Sequence, residues 1–366
     1  MKEISLALVQ WFKHHKRDLP WRQTNDWYPV FLSEFLLQQT QVTQAIPYYQ
    51  KFIRRFPTIF ELARSIEDDI LQMWAGLGYY SRARNLLKAA RQIVTHFNGR
   101  FPTDLKTALT LPGIGPYTAA AVLSIAFNQP LSVVDGNVIR VISRLFAIED
   151  DVRLSATRKA IQLKAQQLLL PTQAGLFNEA IMELGALVCK PAAPLCAQCP
   201  LHTSCQAFHR NKVDAIPFKS STPARKKRFH LVFVIRHGSY LLVGQRPGKG
   251  MLAGMWEFPT IELDAPLQKN SPQVAAILSS KFPQFTVKAC KPMPVLKQIY
   301  THIHLQYRPI LLQSAAKISF NSEKYIQTRW IRRNELEEWA IHKAHQKILQ
   351  HAQFKQWWMA SSVIES

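Results

Sequence analysis

Through the first 215 residues the apolar positions return every three or four residues, and almost nothing alternates with period two. That half of the chain reads as all-α. Helices are predicted over residues 1–17, Val30–Val42, Ile46–Phe56, Ile66–Leu77, Gly78–Phe97, Asn137–Leu145, Ser155–Leu170 and Gln173–Cys189. Asp18–Arg22 (DLPWR) and Thr24–Pro29 (TNDWYP) are turn-like breaks. Thr103 or Asp104 opens a further helix, and LPGIGPYTAA (Leu111–Ala120) sets a Gly-x-Gly turn between two helical patterns. Pro116 suits the first turn of the second one, where a missing N–H costs little. From Asp214 to His230 the periodicity lapses into a Pro-, Ser-, Lys- and Arg-rich stretch, which reads as a linker. Beyond it HLVFVIRHG, SYLLVGQR and QIYTHIHLQYRPI read as strands, and Ser271–Phe282 and Asn334–Ala352 as helices. The expected architecture is an all-α domain over residues 1–215, a basic linker over 216–229, and an α+β domain over 230–360.

Charge narrows the partners. The 366 residues carry 46 Lys and Arg against 24 Asp and Glu, a formal charge of +22. That excess favours a polyanionic partner, nucleic acid first and an anionic membrane surface second. It argues for affinity, not for sequence readout. No window approaches the roughly 18 uninterrupted apolar residues of a membrane span. The N-terminal MKEISLALVQWFKHH reads as an amphipathic helix, not a signal peptide. A cytoplasmic, nucleoid-associated protein is the expectation. Four of five cysteines fall at Cys189, Cys196, Cys199 and Cys205, a C-x6-C-x2-C-x5-C spacing. Four thiolates so clustered could close round tetrahedral zinc or an iron–sulfur cubane. With one short pair and wide gaps, the spacing favours iron–sulfur; two disulfides carry less weight. Cys290 reads as a small buried hydrophobe.

Candidate chemistry sits in the helical half. The glycines Gly113 and Gly115, after Leu111, permit a tight turn whose N–H groups face outward at a helix start, a site for a backbone phosphate. An ordinary helix–turn–helix corner is the plainer reading. Glu34 is a lone carboxylate in FLSEFLLQQ. If buried, its pKa would rise and make it a general acid; if solvent-facing, it would be an ordinary amphipathic-helix residue. Asp135 follows VV and precedes GN. A carboxylate there could stabilise an oxocarbenium-like sugar. Gln38, Gln39 and Thr40 end the Glu34 helix, and Tyr79 and Tyr80 sit on a glycine-flanked turn; both sets could wedge into stacked bases or simply pack locally. Arg82 and its neighbours Arg84, Lys88 and Arg91 read as a solvated face or as phosphate contacts.

Together WFKHHKRDLPWR, SEFLLQQTQV, MWAGLGYYSRARNL, LPGIGPYTAA, VVDGNV, NEAIMELGALVC and the four-cysteine spacing resemble the helix-hairpin-helix DNA glycosylases, specifically the adenine DNA glycosylases of the MutY type. The resemblance runs in family order through essentially the whole first domain. It implies a helix-hairpin-helix glycosylase fold with a [4Fe–4S] cluster on Cys189, Cys196, Cys199 and Cys205. The implied task is removal of adenine paired with 8-oxoguanine, and with guanine, from double-stranded DNA by a monomer. Glu34 matches the catalytic acid and Asp135 the carboxylate that steadies the sugar cation. Asn137 matches a residue supporting that aspartate, and Tyr117 the hairpin tyrosine beside the pocket. Gln39 and Tyr79 match residues inserted near 8-oxoguanine, and Leu111–Gly115 the phosphate-binding hairpin.

Bifunctional relatives carry a lysine in the hairpin region where this chain has Tyr117, and many family members have a lysine after DGNV where it has Ile139. The obvious Schiff-base nucleophiles are missing, so a monofunctional glycosylase is expected. In the second domain YLLVGQRPGKGMLAGMWEFP (Tyr240–Pro259) resembles a Nudix-like fold that lacks the carboxylate array for pyrophosphate hydrolysis. YTHIHLQ (Tyr300–Gln306) aligns with a Phe-Ser-His signature, so Thr301 and His302 are the expected 8-oxoguanine contacts, with Thr keeping the Ser hydroxyl. A half-buried strand with alternating histidines is the plainer reading, and Trp256 and Phe258 read as core. Two other readings remain: an endonuclease-III-like pyrimidine glycosylase with lyase activity, and a non-catalytic damage binder.

Overall fold

A computed structural model describes every residue except 25, 222–223, 267–273, 275, 278–279, 281–286, 301, 318–322 and 361–366. The chain divides into two compact units, Met1–Ser65 with Arg82–Thr222, and Ile66–Ser81 with Pro223–Ser366.

The first unit is helical. Its elements are α1 (Lys2–His15), α2 (Trp27–Leu37), α3 (Val42–Arg55) and α4 (Ile59–Arg64), and then α6 (Ser81–Phe97) through α12 (Gln206–His209), with α5 (Glu67–Met73) assigned to the other unit. Between α6 and α12 lie α7 (Leu105–Ala108), α8 (Pro116–Phe127), α9 (Gly136–Leu145), α10 (Ser155–Leu168) and α11 (Ala174–Leu187). Helices α2 and α8 are apolar nearly all round, as expected of helices buried on every side. They pack on each other, and α11 packs on α1, α8 and α9. Leu8, Phe12, Val141, Ile142, Phe177, Ile181 and Leu184 fill the core between these layers.

The second unit is built on an eight-stranded sheet in the order β3-β2-β1-β7-β5, with β4 on β1, β6 on β7 and β8 on β2. The strands are β1 (Lys226–His237), β2 (Tyr240–Gln245), β3 (Trp256–Glu257), β4 (Thr260–Leu263), β5 (Val287–Pro292), β6 (Leu296–Ile299), β7 (Ile303–Ser314) and β8 (Gln327–Arg332). The central pair β1 and β7 is parallel. Val232, Val234, Leu241 and Val243 join one core, while Leu231, Phe233, Ile235 and Leu242 join another. Both faces of the centre are covered, which is why HLVFVIRH is an almost continuous apolar run rather than a clean alternation.

Several expectations change. The second unit, expected to be α+β, is β-rich, and the iron–sulfur part of the expected fold class is corrected below. The single helix expected over Asn334–Ala352 is a 3-10 turn (Arg333–Glu338), an extended link in which Ile341 bridges Trp256, and two helices, α13 (Lys343–Gln350) and α14 (Ala352–Ala360). QIYTHIHLQYRPI is two antiparallel strands, β6 and β7, and the Tyr300 N–H closes their turn on the Ile303 carbonyl at 2.8 Å. Strand β1 begins inside the basic run, at Lys226. Cys290 is exposed on β5 opposite Leu312, not buried as expected. The helix expected over Ser271–Phe282 lies mostly outside the described residues. Trp256 and Phe258 are core residues as read.

Candidate functional site

Helix α2 begins where Asp26 caps it, its carboxylate accepting from the Tyr28 N–H at 3.2 Å. Two turns later its axis carries Glu34 inward, among Phe31, Leu32, Phe35 and Leu36, all fully buried. Glu34 itself is 4% exposed, and its Oε2 has no hydrogen-bond partner among the described residues. Burial pushes its carboxyl up to about 7; a hydrogen bond from Tyr117 pulls the other way, and Asp135 and Glu179 push it further up. It is protonated over a range where an ordinary glutamate is ionised.

The helix stops abruptly. Gln39 has a left-handed backbone, φ 57°, at the turn beyond α2. The Arg82 guanidinium gathers the loose carbonyls, donating to Phe35 O and Leu36 O at 3.2 Å each and to Gln38 O and Thr40 Oγ1. Unmet carbonyls at a helix C-terminus favour a cation there. Arg82 was expected to face DNA phosphate; here it is buried and holds the end of α2 in shape.

The α7–α8 hairpin stands beside this turn. Leu111 and Ile114 are buried and pin it, while Gly113 and Gly115 are exposed. Gly113 has φ +77°, and a Cβ there would lie 2.7 Å from Asn85 Cβ and 2.9 Å from Phe35 Cε1. Conformation and space both demand glycine. Gln38 ties hairpin to helix: its Nε2 donates to Gly113 O at 3.3 Å and Thr118 Oγ1 at 3.2 Å.

Asp135 is the N-cap of α9. Its Oδ1 accepts from the Val138 N–H at 2.7 Å and its Oδ2 from Asn137 Nδ2 at 2.9 Å. Burial raises its pKa, and these two donors oppose the rise. A helix N-terminus favours the charged form. Asn137 is held in turn by Arg140, whose NH2 donates to Asn137 Oδ1 at 2.9 Å and to Gly185 O at 2.7 Å. The close approach of α11 requires Gly185, where a Cβ would meet Asn137 Cβ at 2.6 Å.

One cavity of about 870 Å³ collects these groups: Glu34, Gln38, Gln39, Thr40, Tyr117, Asp135 and Asn137 all line it. The Tyr117 hydroxyl neighbours both the Glu34 carboxyl and Met182 Sδ, the latter at 3.4 Å. The cavity therefore holds a carboxyl that keeps its proton near neutrality and a carboxylate already satisfied by two N–H donors. That pair can protonate a leaving group and face a developing cation.

The sequence reading did not single out a second set on the same wall. Glu183 accepts from the Arg17 backbone N–H at 2.8 Å, from Arg17 Nε at 2.9 Å and NH2 at 2.8 Å, and from Arg22 NH2 at 3.2 Å. Burial raises its pKa, but these donors outweigh it and bring it to about 2. Arg22 Nε also donates to Glu179 Oε1 at 2.7 Å. All four residues line the cavity. The available signal was the four-residue spacing of Glu179 and Glu183, which puts both on one face of α11.

Residues 32–169 match the model of the HhH-GPD superfamily base excision DNA repair proteins, and residues 231–351 that of the NUDIX domain. The adenine DNA glycosylase of Mus musculus is 35% identical over 361 residues, covering 82% of this chain and 68% of that protein. That of Homo sapiens is 31% identical over 404 residues, covering 96% and 74%. That of Buchnera aphidicola subsp. Acyrthosiphon pisum is 30% identical over 349 residues, covering 95% and 97%. The chain belongs to the adenine DNA glycosylase family. The chain also resembles a solved thermostable thymine-DNA glycosylase, at 28% identity and a TM-score of 0.52, over 57% of this chain and 96% of that one. As an adenine DNA glycosylase of the HhH-GPD superfamily it is a base-excision repair hydrolase. No helix among its described residues is long and apolar enough to cross a membrane.

The expected [4Fe–4S] cluster is corrected. Among the described residues no group of three or more His, Cys, Asp or Glu is placed to hold a metal ion. All five cysteines are free, and Cys189, Cys196, Cys199 and Cys205 line a cavity of about 30 Å³. Burial pushes the Cys199 thiol up to about 11 and raises Cys196 and Cys205 as well. Arg144 NH1 donates to Cys189 Sγ at 3.4 Å, and Cys205 Sγ donates to the Arg144 carbonyl at 3.5 Å. These residues fit a packed thiol corner on the helical core, not a metal centre, and the expected metal-binding role goes with the cluster.

Of the remaining expected contacts, Tyr79 belongs to the second unit, is 44% exposed and has φ 48°. A non-glycine residue in that region is strained, as at Gln39. His302 is exposed at the β6–β7 turn, its carbonyl accepting from the Lys226 N–H at 3.1 Å. Thr301 lies outside the described residues.

Proposed function

We propose that this chain removes adenine paired with 8-oxoguanine, and with guanine, from double-stranded DNA as a monofunctional, monomeric glycosylase that leaves an abasic site. The observation that carries the reading is Glu34: a buried carboxyl with a free oxygen and a pKa raised to about 7, in the same cavity as Asp135. The adenine must leave the stack to reach it, because the duplex interior is closed to side chains. Glu34 then gives its proton to the ring, and the glycosidic bond breaks with its electron pair leaving on adenine. Asp135 offsets the charge left on the sugar, and water adds to that cation and loses a proton to solvent, which gives the hydroxyl of the abasic site. Tyr117 and Asn137 position these two carboxyls.

In the same reading Leu111, Gly113 and Gly115 hold a backbone phosphate, Gln38, Gln39 and Thr40 wedge into the base stack, and Tyr79, from the second unit, is a DNA contact of its own. Residues 1–215 form the catalytic domain and 216–229 a linker, with residues 230–360 reading 8-oxoguanine through Thr301 and His302. The place of work is the bacterial cytoplasm, at the nucleoid. No lysine lines the cavity among the described residues, which supports hydrolysis over a Schiff-base route. Incubation with A:8-oxoG, A:G and oxidised-pyrimidine duplexes tests this. Free adenine should appear from the first two alone, and borohydride should trap no covalent complex. Pyrimidine release, or a lysine-dependent adduct, would favour an endonuclease-III-like enzyme instead.

A further inference from the structure

The second unit has a large cavity that the proposed reading leaves unused. It measures about 890 Å³, and Tyr240, Arg332, Arg333, Phe354, Lys355 and Trp358 are among its lining residues. Three cations therefore face one space. Among the described residues no carboxylate forms an ion pair with Arg333 or Lys355.

Aromatic faces meet the two arginines instead. The Arg333 guanidinium lies 5.9 Å from the Phe354 ring centre, and Arg332 lies 5.8 Å from that of Tyr240. Arg332 Nε also donates to the Tyr240 hydroxyl at 3.3 Å. Lys317 sits over the Tyr240 ring and the buried Arg236 lies 4.2 Å from the Trp358 ring centre, so both aromatic walls are themselves backed by positive charge. Arg332 and then Lys317 pull the Tyr240 phenol below its ordinary pKa. Glu335, which accepts from the Arg332 backbone N–H at 3.4 Å, is the acidic neighbour. An aromatic ring spreads a cation's charge without neutralising it, so the field in the cavity stays positive. Arginine forks suit phosphate oxygens, and the half-buried Trp358, stacked at 23° on the buried Phe354, offers flat apolar surface next to them.

We propose that this cavity is a nucleotide site: Arg332, Arg333 and Lys355 hold phosphate, and the Tyr240 and Trp358 side of the cavity takes the attached base or sugar. The phosphate comes either from a DNA strand or from a free nucleotide. The site lies within the second unit and does not depend on the Glu34 chemistry.

The test uses the full chain and the Arg333→Gln/Lys355→Gln variant, with its thermal midpoint checked first. Fluorescence anisotropy on a labelled undamaged duplex is measured across a salt series. Each lost phosphate contact makes the log K against log salt slope shallower by about 0.9. A double variant shallower by about 2 assigns the site to the DNA strand. In parallel, calorimetric titration of the wild-type chain with dGTP and with inorganic pyrophosphate reads the free-nucleotide source. Saturable binding that the variant weakens at least tenfold assigns it to a free nucleotide. Unchanged salt slopes, together with either no saturable heat or saturable heat that the variant leaves unchanged, overturn the proposal. Should the double variant unfold, Lys355→Gln alone, at an exposed position, carries the same readout with half the slope change.

Discussion

Each unit of this protein buries a glutamate, and the two are treated in opposite ways. Glu34 in the helical unit is 4% exposed with an oxygen left without a partner, and burial carries its pKa to about 7. Glu257 in the sheet unit is 2% exposed and saturated. Its Oε1 accepts from the Tyr325 hydroxyl at 2.9 Å and pairs with Lys324 Nζ at 3.1 Å; its Oε2 accepts from Arg246 NH1 at 3.0 Å and His342 Nε2 at 3.1 Å. Burial would raise its pKa, but His342, Lys324 and His345 hold it well below the carboxylate range. His345 offers a lone pair to the Phe258 N–H at 2.9 Å, in keeping with a pKa that burial and His342 depress. Equal burial thus gives one acid that keeps its proton and one that has no use for it. The difference lies in the neighbours: a carboxyl kept for chemistry is denied the partners that would make it stable and charged.

The comparison breaks first at Glu34→Gln. A positioned general acid contributes about 10²- to 10⁴-fold. Single-turnover adenine release should fall by that much while duplex affinity stays within a few-fold. A normal rate would remove Glu34 from the chemistry. The same substitution at Glu257 should act on stability alone. It leaves Lys324 and Arg246 facing a neutral amide, and breaking a buried pair costs about 3–5 kcal/mol. Urea unfolding should show that loss, with adenine release per folded molecule unchanged. If Glu257→Gln is as stable as the wild type, the contrast between the two acids is wrong.

Asp135→Asn sharpens the comparison from a third side. Asparagine still caps α9, so the fold should hold. What is lost is negative charge facing the sugar, and preorganised electrostatic groups elsewhere are worth about 3–4 kcal/mol. Single-turnover release should fall accordingly, and a drop under about tenfold would leave Asp135 as a helix cap and nothing more.

Glu34 stood out in the sequence because one charged residue interrupted an apolar helix; its burial and missing partner needed the fold. Asp135 stood out for the turn that follows it, but a capping aspartate and a catalytic one have the same local signature. The hairpin was legible down to Gly113, since a positive φ leaves few residue choices. Arg82 was misread because its partners, the carbonyls ending α2, lie more than forty residues back in the chain and have no pattern in the letters. The Arg17, Arg22, Glu179 and Glu183 set was missed for the same reason. The cysteine spacing was plain, but spacing records only that thiols are near one another, not that they converge as ligands. Helix Asn334–Ala352 failed because Trp339–His342 pays its hydrogen bonds to the sheet, with Ile341 bridging Trp256.

The pH dependence of stability separates the two glutamates with the smallest expected effect. Glu34's pKa rises from 4.5 unfolded to about 7 folded, so between those values the native state binds the extra proton. Stability contributed by this group is then full below about 4.5 and falls as pH climbs to about 7, after which it is flat. At about 1.4 kcal/mol per unit the loss is at most about 3.5 kcal/mol. Glutamine has no proton to lose, so the Glu34→Gln variant should gain on the wild type across that window, measured by urea unfolding from pH 4.5 to 8. Glu257 runs the other way: its folded pKa is depressed, so its contribution is present above 4.5 and lost on acidification. A Glu34→Gln gain that grew toward low pH would mean that Glu34 is ionised in the fold, and the acid proposed for the reaction would have no proton to give.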